Sequence, residues 1–238
     1  MKVLGIDSSG MVATVAVVED TQMSAEYTIN YKKTHSQTLL PMLDEVAKMI
    51  ELDLNTIDAI AVAAGPGSFT GLRIGSATAK GLGLALKKPL VSVPTLEGIA
   101  YNFCGSEKVI CPMMDARRSQ VYTGIYEFQG NTLKVLEDQM AVSVEEVLEK
   151  LNQTGREVIL AGDGVPVYLE LIKKNLKVPY LLAPAHLNRQ RAGAVAVLGM
   201  QYAKEGKLES ATEHQPDYLR LSQAERERAQ KQAQKEDV

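Results

Sequence analysis

The sequence predicts an α/β protein made of two halves in tandem. Up to a polar C-terminal tail, short apolar runs that fit buried strands alternate with longer segments of helical periodicity. Residues 2–19 form an apolar strand that ends in aspartate, a polar turn and an alternating strand, and residues 108–128 repeat this order more weakly. With 238 residues, 45% of them hydrophobic, the chain can bury the cores of one large or two small domains.

The first half is predicted to contain five strands and two helices. Its strands are Lys2–Asp7, Val12–Glu19, Gln22–Asn30, 58–64 and Leu90–Pro94. The first helix is predicted at residues 36–51, where Pro41 is tolerated only if it lies in the first turn. The apolar side chains of this helix exceed a single stripe: Leu39, Leu40, Met42, Leu43, Val46, Ala47, Met49 and Ile50. One stripe can cover the sheet, so the surplus predicts a second contact.

The second helix is rich in glycine, and it follows the turn Gly65-Pro66-Gly67-Ser68. A glycine inside a helix costs about 1 kcal/mol relative to alanine, so a close contact must offset that cost. Small residues recur at every fourth position and form a ridge that lets another backbone approach: Gly67, Gly71, Gly75, Ala79 and Gly83. The turn can also cradle a phosphate, although a Walker Gly-Lys-Ser/Thr is absent from the sequence and the dinucleotide spacing is missed by one residue. The pattern favours packing and leaves phosphate binding open.

The second half is predicted to begin near residue 107. Its strands are predicted at 108–115, 120–128 and 157–161, and its helices at 143–151, 165–175 and 189–205. Ser143, with Glu146 three residues later, has the chemistry of a helix N-cap. The predicted organisation is an N-terminal half at 1–104, a C-terminal half at 105–222 and a polar tail of alternating charge at 223–238.

Composition excludes several classes of function. The formal net charge is −3, so no overall basic field supports autonomous binding to nucleic acid. No apolar run is long enough to span a bilayer, which predicts a protein with no membrane partner. The spacing of Cys104 and Cys111 fits neither a redox pair nor a zinc site, so we expect reduced thiols in a cytoplasmic protein.

Several short motifs together resemble one known family. The glycine run 65–75, His35-Ser36, Leu40-Pro41, Pro94-Thr95-Leu96 and Asp115-Ala116-Arg117-Arg118 are closely similar to the TsaB (YeaZ) family of bacterial tRNA threonylcarbamoyladenosine biosynthesis proteins. The resemblance is strong as far as residues 120–128 and looser beyond them. It implies an actin/hexokinase-like fold (ASKHA, ribonuclease H-like) with two tandem duplicated halves, each a mixed sheet flanked by helices.

The resemblance also implies a function and a set of partners. It implies a non-catalytic subunit of the complex that transfers threonylcarbamoyl to N6 of the adenosine beside the tRNA anticodon. The catalytic paralogue is TsaD, which the chain would bind and activate, and a small ATPase, TsaE, completes the assembly. The chain would have no cofactor of its own, because ATP and a metal ion belong to the partner subunit, and it would reach tRNA only through the complex.

In that family the contact surface lies on the first two helices. The resemblance therefore assigns partner binding here to Leu39, Met42, Leu43, Val46, Gly71, Leu72, Gly75 and Ala79. The same surface leaves open a homodimer of the isolated chain, since unmatched apolar helices favour self-association.

The histidines argue against a catalytic role. His35, His186 and His214 do not pair at a spacing of four residues, so the metal site of the paralogue cannot be built here and no metal ligands are predicted. His35, just before a helix, is expected to cap or pack. Arg73 leaves two interpretations open, contact with a partner or an exposed pair within the chain.

A small set of residues could contact an anion or nucleotide. These candidates are Asp7, Gly67, Ser68 and Arg117, although each also fits ordinary turn or capping chemistry. Together with the glycine turn at 162–164 they support the alternative function, an ATP-binding kinase or ATPase of the same superfold that acts on a small molecule.

Overall fold

Two five-stranded mixed sheets form the centre of the protein. The computed structural model describes residues 1–220, so the predicted tail at 223–238 and the last two residues of the predicted second half lie outside the described residues. The first sheet has the order β3-β2-β1-β4-β5, in which β1 is antiparallel to β2 and parallel to β4. Its strands are β1 Lys2–Asp7, β2 Val12–Glu19, β3 Gln22–Asn30, β4 Ala59–Gly65 and β5 Leu90–Pro94. The five predicted strands of the first half are therefore present.

The second sheet repeats the topology of the first. Its order is β10-β9-β6-β7-β8, with β6 antiparallel to β7 and parallel to β9. Its strands are β6 Val109–Asp115, β7 Gln120–Gln129, β8 Thr132–Ser143, β9 Val158–Ala161 and β10 Tyr180–Leu182. The prediction of two duplicated halves, each with a mixed sheet flanked by helices, is confirmed.

Seven α-helices flank these sheets within residues 1–220. They are α1 His35–Met49, α2 Phe69–Leu86, α3 Thr95–Tyr101, α4 Val144–Thr154, α5 Gly164–Val167, α6 Leu169–Asn175 and α7 Ala192–Lys204, with a 3-10 turn at Leu54–Thr56. Ser143 caps α4, because its side chain accepts the N–H of Glu146 at 3.2 Å. Because α1 begins at His35, Pro41 lies in the second turn and not the first, which corrects the sequence prediction.

The last helix packs on the sheet of the other half. α1 and α2 cover one face of the first sheet, whereas α7 packs against β1, β2, β4 and β5 on the opposite face. At Gly199 the backbone of α7 comes so close that a Cβ would lie less than 3.0 Å from the side chain of Ala61. The first sheet is therefore covered on both faces, and one cover comes from the sequence predicted as the C-terminal half.

The chain then returns along the edge of the first sheet as a C-terminal strap, residues 208–220. Glu209 and Leu90 exchange backbone hydrogen bonds of 3.0 and 2.9 Å, so the strap begins beside β5. His214 is buried, and its Nδ1 lies 2.9 Å from Glu209 Oε1 and 3.0 Å from Ser92 Oγ. The N–H of Asp217 donates to the carbonyl of Ala64 at 2.7 Å, which brings the strap to the end of β4.

Residues 1–220 contain no helix that combines the length and the apolar character needed to cross a membrane.

Two neighbouring leucines of α1 give a test of this packing. Leu39 is 1% exposed in the core with β1, β2 and β4, and Leu40 is 53% exposed. We expect Leu39→Ala to lower the free energy of unfolding by about 2–5 kcal/mol, because it leaves a cavity. Leu40→Ala, the matched control, is expected to change it by less than about 0.5 kcal/mol. Urea denaturation measures both; equal effects would contradict the observed orientation of α1.

Candidate functional site

The glycine stripe of α2 contacts the turn between β1 and β2. At Gly67, Gly71 and Gly75, a Cβ would lie less than 3.0 Å from oxygen atoms of Ser8 or Ser9. The hydroxyl of Ser8 donates to the carbonyl of Gly71 at 2.9 Å, so the close approach also satisfies a buried polar group. The predicted ridge of small residues therefore exists from Gly71 onward, whereas Gly67 lies in the turn before α2. The backbone that the ridge admits belongs to the same chain.

This packing corrects the predicted partner-binding residues. On α1, Leu39, Met42, Leu43 and Val46 are buried in the core of the first sheet. On α2, Gly71, Leu72, Gly75 and Ala79 are buried in the same way. All eight residues are buried within the chain itself, and the turn between β1 and β2 covers Gly71 and Gly75.

A different face of α2 is exposed. This α2 outer face consists of Thr70, Ala77, Gly81 and Leu84, all exposed, with Ile74 half-buried beside them against the core of the first sheet. Leu84 is 60% exposed, and a Cβ built at Gly81 would meet no atom of residues 1–220 within 4 Å. The side chain of Leu40 on α1 is exposed as well. Small and apolar residues on the solvent side let a second backbone approach without burying charge.

A cleft opens where the glycine turn of the first half faces the second half. Its volume is 310 Å³, and its walls come from the β1–β2 turn, the start of α2 and the β6–β7 turn. The lining residues are Ser9, Gly10, Met11, Gly67, Ser68, Met114, Asp115, Ala116, Arg117, Tyr122 and Asp163. Three of the predicted anion contacts, Gly67, Ser68 and Arg117, therefore line one cavity.

Asp7, the fourth predicted contact, lies behind the cleft wall. Its side chain is buried, and its carboxylate accepts the N–H of Ser9 at 2.8 Å. Burial raises the pKa of Asp7 from 3.8 to about 6, and the hydrogen bond from the N–H of Ser9 opposes this shift. Ser9 lines the cleft, and its buried hydroxyl has no hydrogen-bond partner among residues 1–220.

The β6–β7 turn contributes Arg117 to the lining of the cleft, and Arg118 follows it in the chain. Asp115 accepts the N–H of Arg117 and the hydroxyl of Tyr168, both at 2.9 Å. Asp163 accepts the N–H of Asp115 at 3.1 Å, and burial raises the pKa of Asp163. Arg117 and Arg118 follow in left-handed backbone conformation, with φ of 65° and 56°.

The other residues noted in the sequence have structural contacts. His35 Nε2 lies 2.8 Å from the carbonyl of Gly10, a packing contact of the expected kind. The guanidinium of Arg73 lies 4.1 Å from the ring centroid of Phe69, which in turn stacks on Tyr218 at 4.4 Å. Tyr218 belongs to the strap, so sequence reasoning, which sees only neighbours along the chain, missed this cluster. Among the described residues no three His, Cys, Asp or Glu side chains are grouped to hold a metal ion.

The two repeated sheets and the cleft between them define an actin/hexokinase-like protein, as comparisons with known proteins confirm. Residues 22–228 match the family model TsaD, described as tRNA N6-adenosine threonylcarbamoyltransferase. The activator of the 2-hydroxyisocaproyl-CoA dehydratase from Clostridium difficile superposes with a TM-score of 0.51 at 11% identity, over 87% of this chain and 97% of that one. That likeness concerns the fold alone.

Closer relatives identify the family. The tRNA threonylcarbamoyladenosine biosynthesis protein TsaB of Bacillus subtilis is 33% identical over 94% of this chain and 96% of its own length. The protein of the same name from Escherichia coli is 30% identical over 92% of this chain and 95% of its own length. YeaZ from Pseudomonas aeruginosa superposes with a TM-score of 0.79 at 26% identity, over 92% of this chain and 99% of that one. The chain belongs to the TsaB (YeaZ) family.

Two glycines of α2 distinguish its inner and outer faces. Gly71→Ala is expected to lower the free energy of unfolding by about 1–3 kcal/mol, since the new methyl group overlaps the carbonyl of Ser8. Gly81→Ala is expected to raise it by about 1 kcal/mol, because alanine favours the helix and space is open. Thermal or urea unfolding measures both. Stabilisation by both substitutions would show that Gly71 is not in close contact.

The raised pKa of Asp7 predicts a dependence of stability on pH. The unfolded chain releases this proton near pH 3.8, whereas the folded chain holds it to about pH 6. The stabilisation from Asp7 is therefore complete below pH 3.8 and is lost as the pH rises through 6, by roughly 3 kcal/mol in total. The control is Asp7→Asn. Urea unfolding of both proteins across this range should show the wild type losing stability relative to Asp7→Asn; a constant difference would contradict the prediction.

Proposed function

We propose that this chain acts in tRNA threonylcarbamoyladenosine biosynthesis as a non-catalytic subunit. It docks a catalytic transferase of the TsaD type through the α2 outer face and holds that enzyme in its active arrangement. The observation that carries the proposal is the exposed stripe of small and apolar residues on α2, centred on Ala77, Gly81 and Leu84. The names of the Bacillus subtilis and Escherichia coli relatives support the process, and the match to the transferase model supports a partner of related fold.

The chemistry of the outer face suits a protein partner. Burying apolar surface contributes about 25 cal/mol per Å² before the costs of association, and this face adds no carboxylate that would need a counter-ion. Gly81, with open space above its backbone, admits a helix of the partner at short distance. A second copy of the chain could occupy the same face, and it would then compete with the transferase.

The side chains expected in a catalytic site are used for structure in this chain. His35 hydrogen-bonds the carbonyl of Gly10, and His214 is buried between Ser92 and Glu209. Neither residue has a second histidine four positions away, so the chain lacks the paired helical ligands of a metal centre. We therefore assign ATP and the metal ion to the transferase, and a TsaE-type ATPase completes the proposed assembly.

An ATP-binding kinase or ATPase remains the second candidate function. The cleft and the unpartnered hydroxyl of Ser9 favour it, since a phosphate at the start of α2 would supply the missing hydrogen bond. The position of Asp7 opposes it, because a carboxylate shielded behind Ser9 cannot hold a metal–phosphate in the cleft. Calorimetric titration of the isolated protein with Mg-ATP decides: micromolar binding with turnover would replace the subunit assignment.

Two exposed residues of equal accessibility test docking. Leu84 on α2 and Val167 on α5 are 60% and 59% exposed. We expect Leu84→Asp to weaken co-purification with the TsaD-type partner at least about tenfold, because binding would bury a carboxylate without a counter-ion. Val167→Asp, the control, should bind normally. Substitution of Met42 or Gly75 would not test docking, since both residues are buried and a change there would disturb folding. Normal binding by Leu84→Asp would place the interface elsewhere.

A further inference from the structure

Four arginines lie on three separate parts of the chain that contact one another near the cleft. They are Arg73 on α2, Arg117 and Arg118 in the β6–β7 turn, and Arg220 at the end of the strap. We refer to them as the arginine patch. The order of residues along the chain does not predict this patch, because Arg220 comes close to the β6–β7 turn only when the strap folds back.

Contacts within the chain hold the patch together. The guanidinium of Arg73 lies over the ring of Phe69, and that ring stacks on Tyr218 with an angle of 28° between the planes. Two residues later, Arg220 Nη1 donates to the carbonyl of Ala116 at 2.9 Å. Arg117 and Arg118 follow Ala116 directly, so these contacts link the start of α2 to the β6–β7 turn.

The positive charge of the patch is available to a ligand. The side chain of Arg117 is 87% exposed, and its nearest carboxylate oxygen, on Asp115, is 3.4 Å away. Asp115 already accepts two other hydrogen bonds, from the N–H of Arg117 and the hydroxyl of Tyr168. Within residues 1–220, Arg73 and Arg118 make no ion pair. Since the whole chain carries a net charge of −3, this local excess is not a consequence of its composition.

The β6–β7 turn keeps its arginines exposed at the expense of backbone strain. Arg117, Arg118 and Ser119 all have positive φ, at 65°, 56° and 56°. For residues other than glycine this conformation costs about 1 kcal/mol or more each. The turn is closed by the N–H of Ala116, which donates to Gln120, and by the N–H of Gln120, which donates to Arg117.

We propose that the arginine patch contacts the phosphate backbone of RNA when the chain is assembled with its catalytic partner. This inference rests on the proposed function. Planar guanidinium groups pair with phosphate oxygens, and the exposed ring of Tyr218 offers the stacking surface that bases use. Arg73 lies at the edge of the α2 outer face, so an RNA held by the docked enzyme would pass the patch. An acidic protein would also complement the positive charge, but it would not account for the stacked pair of Phe69 and Tyr218.

The number of cations sets how strongly the patch can act. Each phosphate contact contributes about 0.9 to the slope of log affinity against log salt. Even four contacts, one from each arginine of the patch, account for a slope of only about 4, which is too little for stable binding by the isolated chain. The contribution appears only when other subunits supply the remaining contacts.

The test uses the assembled complex of this chain with its TsaD-type partner. We compare wild type with Arg117→Gln/Arg118→Gln, which removes two charges and makes no new backbone demand. Binding of unmodified tRNA is followed by fluorescence anisotropy from about 50 to about 200 mM salt. We expect the tRNA affinity to fall about tenfold or more at the lowest salt and the slope to decrease by about 2. Arg73→Gln, on a regular helix, should decrease the slope by about 1.

The matched control is Lys134→Gln/Lys174→Gln, which removes the same charge from exposed positions away from the cleft. Lys134 pairs with Glu127 on the neighbouring strand, seven residues and roughly 23 Å along β7 from the turn. This variant should bind tRNA as the wild type does. Thermal unfolding checks that all variants are folded.

Three outcomes would overturn the inference. If the arginine variant forms an intact complex with unchanged tRNA affinity and unchanged salt slope, the proposed RNA contact is wrong and the subunit assignment is unaffected. Loss of co-purification by the arginine variant would show that the patch binds the partner protein instead. Failure of the wild-type chain to assemble would contradict the proposed function itself, and the RNA contact with it.

Discussion

The close approach of α2 to the turn between β1 and β2 is the contact on which the N-terminal half depends. Glycine at positions 67, 71 and 75 lets the helix backbone reach Ser8 and Ser9, and the N–H of Ser68 donates to the carbonyl of Ser9. Gly71 and Gly75 lose helix propensity of about 1 kcal/mol each, and dispersion contacts together with the hydrogen bond from Ser8 to Gly71 offset that loss. A larger side chain at these positions would push the helix away from the sheet.

The same contact decides which surfaces remain for other molecules. With its inner stripe covered, α2 presents Ala77, Gly81 and Leu84 outward and its first turn to the cleft. One helix therefore borders both the surface proposed for the partner protein and the cavity between the halves.

Long-range contacts near the end of the chain complete the first sheet and connect the halves. α7 covers the face that α1 and α2 leave open, and the strap runs from Leu90 past Ala64 to the start of α2. Its final described residue, Arg220, reaches the carbonyl of Ala116 in the other half. The strap thus contacts α2 through Tyr218 and the β6–β7 turn through Arg220.

Local pattern was sufficient for much of the fold and for part of the candidate site. Strands β1, β2, β3 and β5, the glycine helix and the cap at Ser143 follow from periodicity and turn chemistry alone. β8, half exposed and carrying Lys134 and Glu137, and β10, three residues long, give too little alternation to be recognised. α3 is almost wholly buried, so it lacks the polar face that marks a surface helix.

By itself the sequence determined most of the elements, their repetition in two halves and the need for a close backbone contact at the glycine ridge. Only the tertiary structure decided which backbone packs against the ridge, namely the turn at Ser8 and Ser9. Both faces of α2 carry small residues, so no asymmetry of hydrophobicity distinguishes the side that meets Ser8 from the side that bears Gly81. Leu39 and Leu40 likewise have the same chemistry and opposite environments. The orientation depends on where the sheet lies, and the positions of α7 and the strap depend on contacts between residues far apart along the chain.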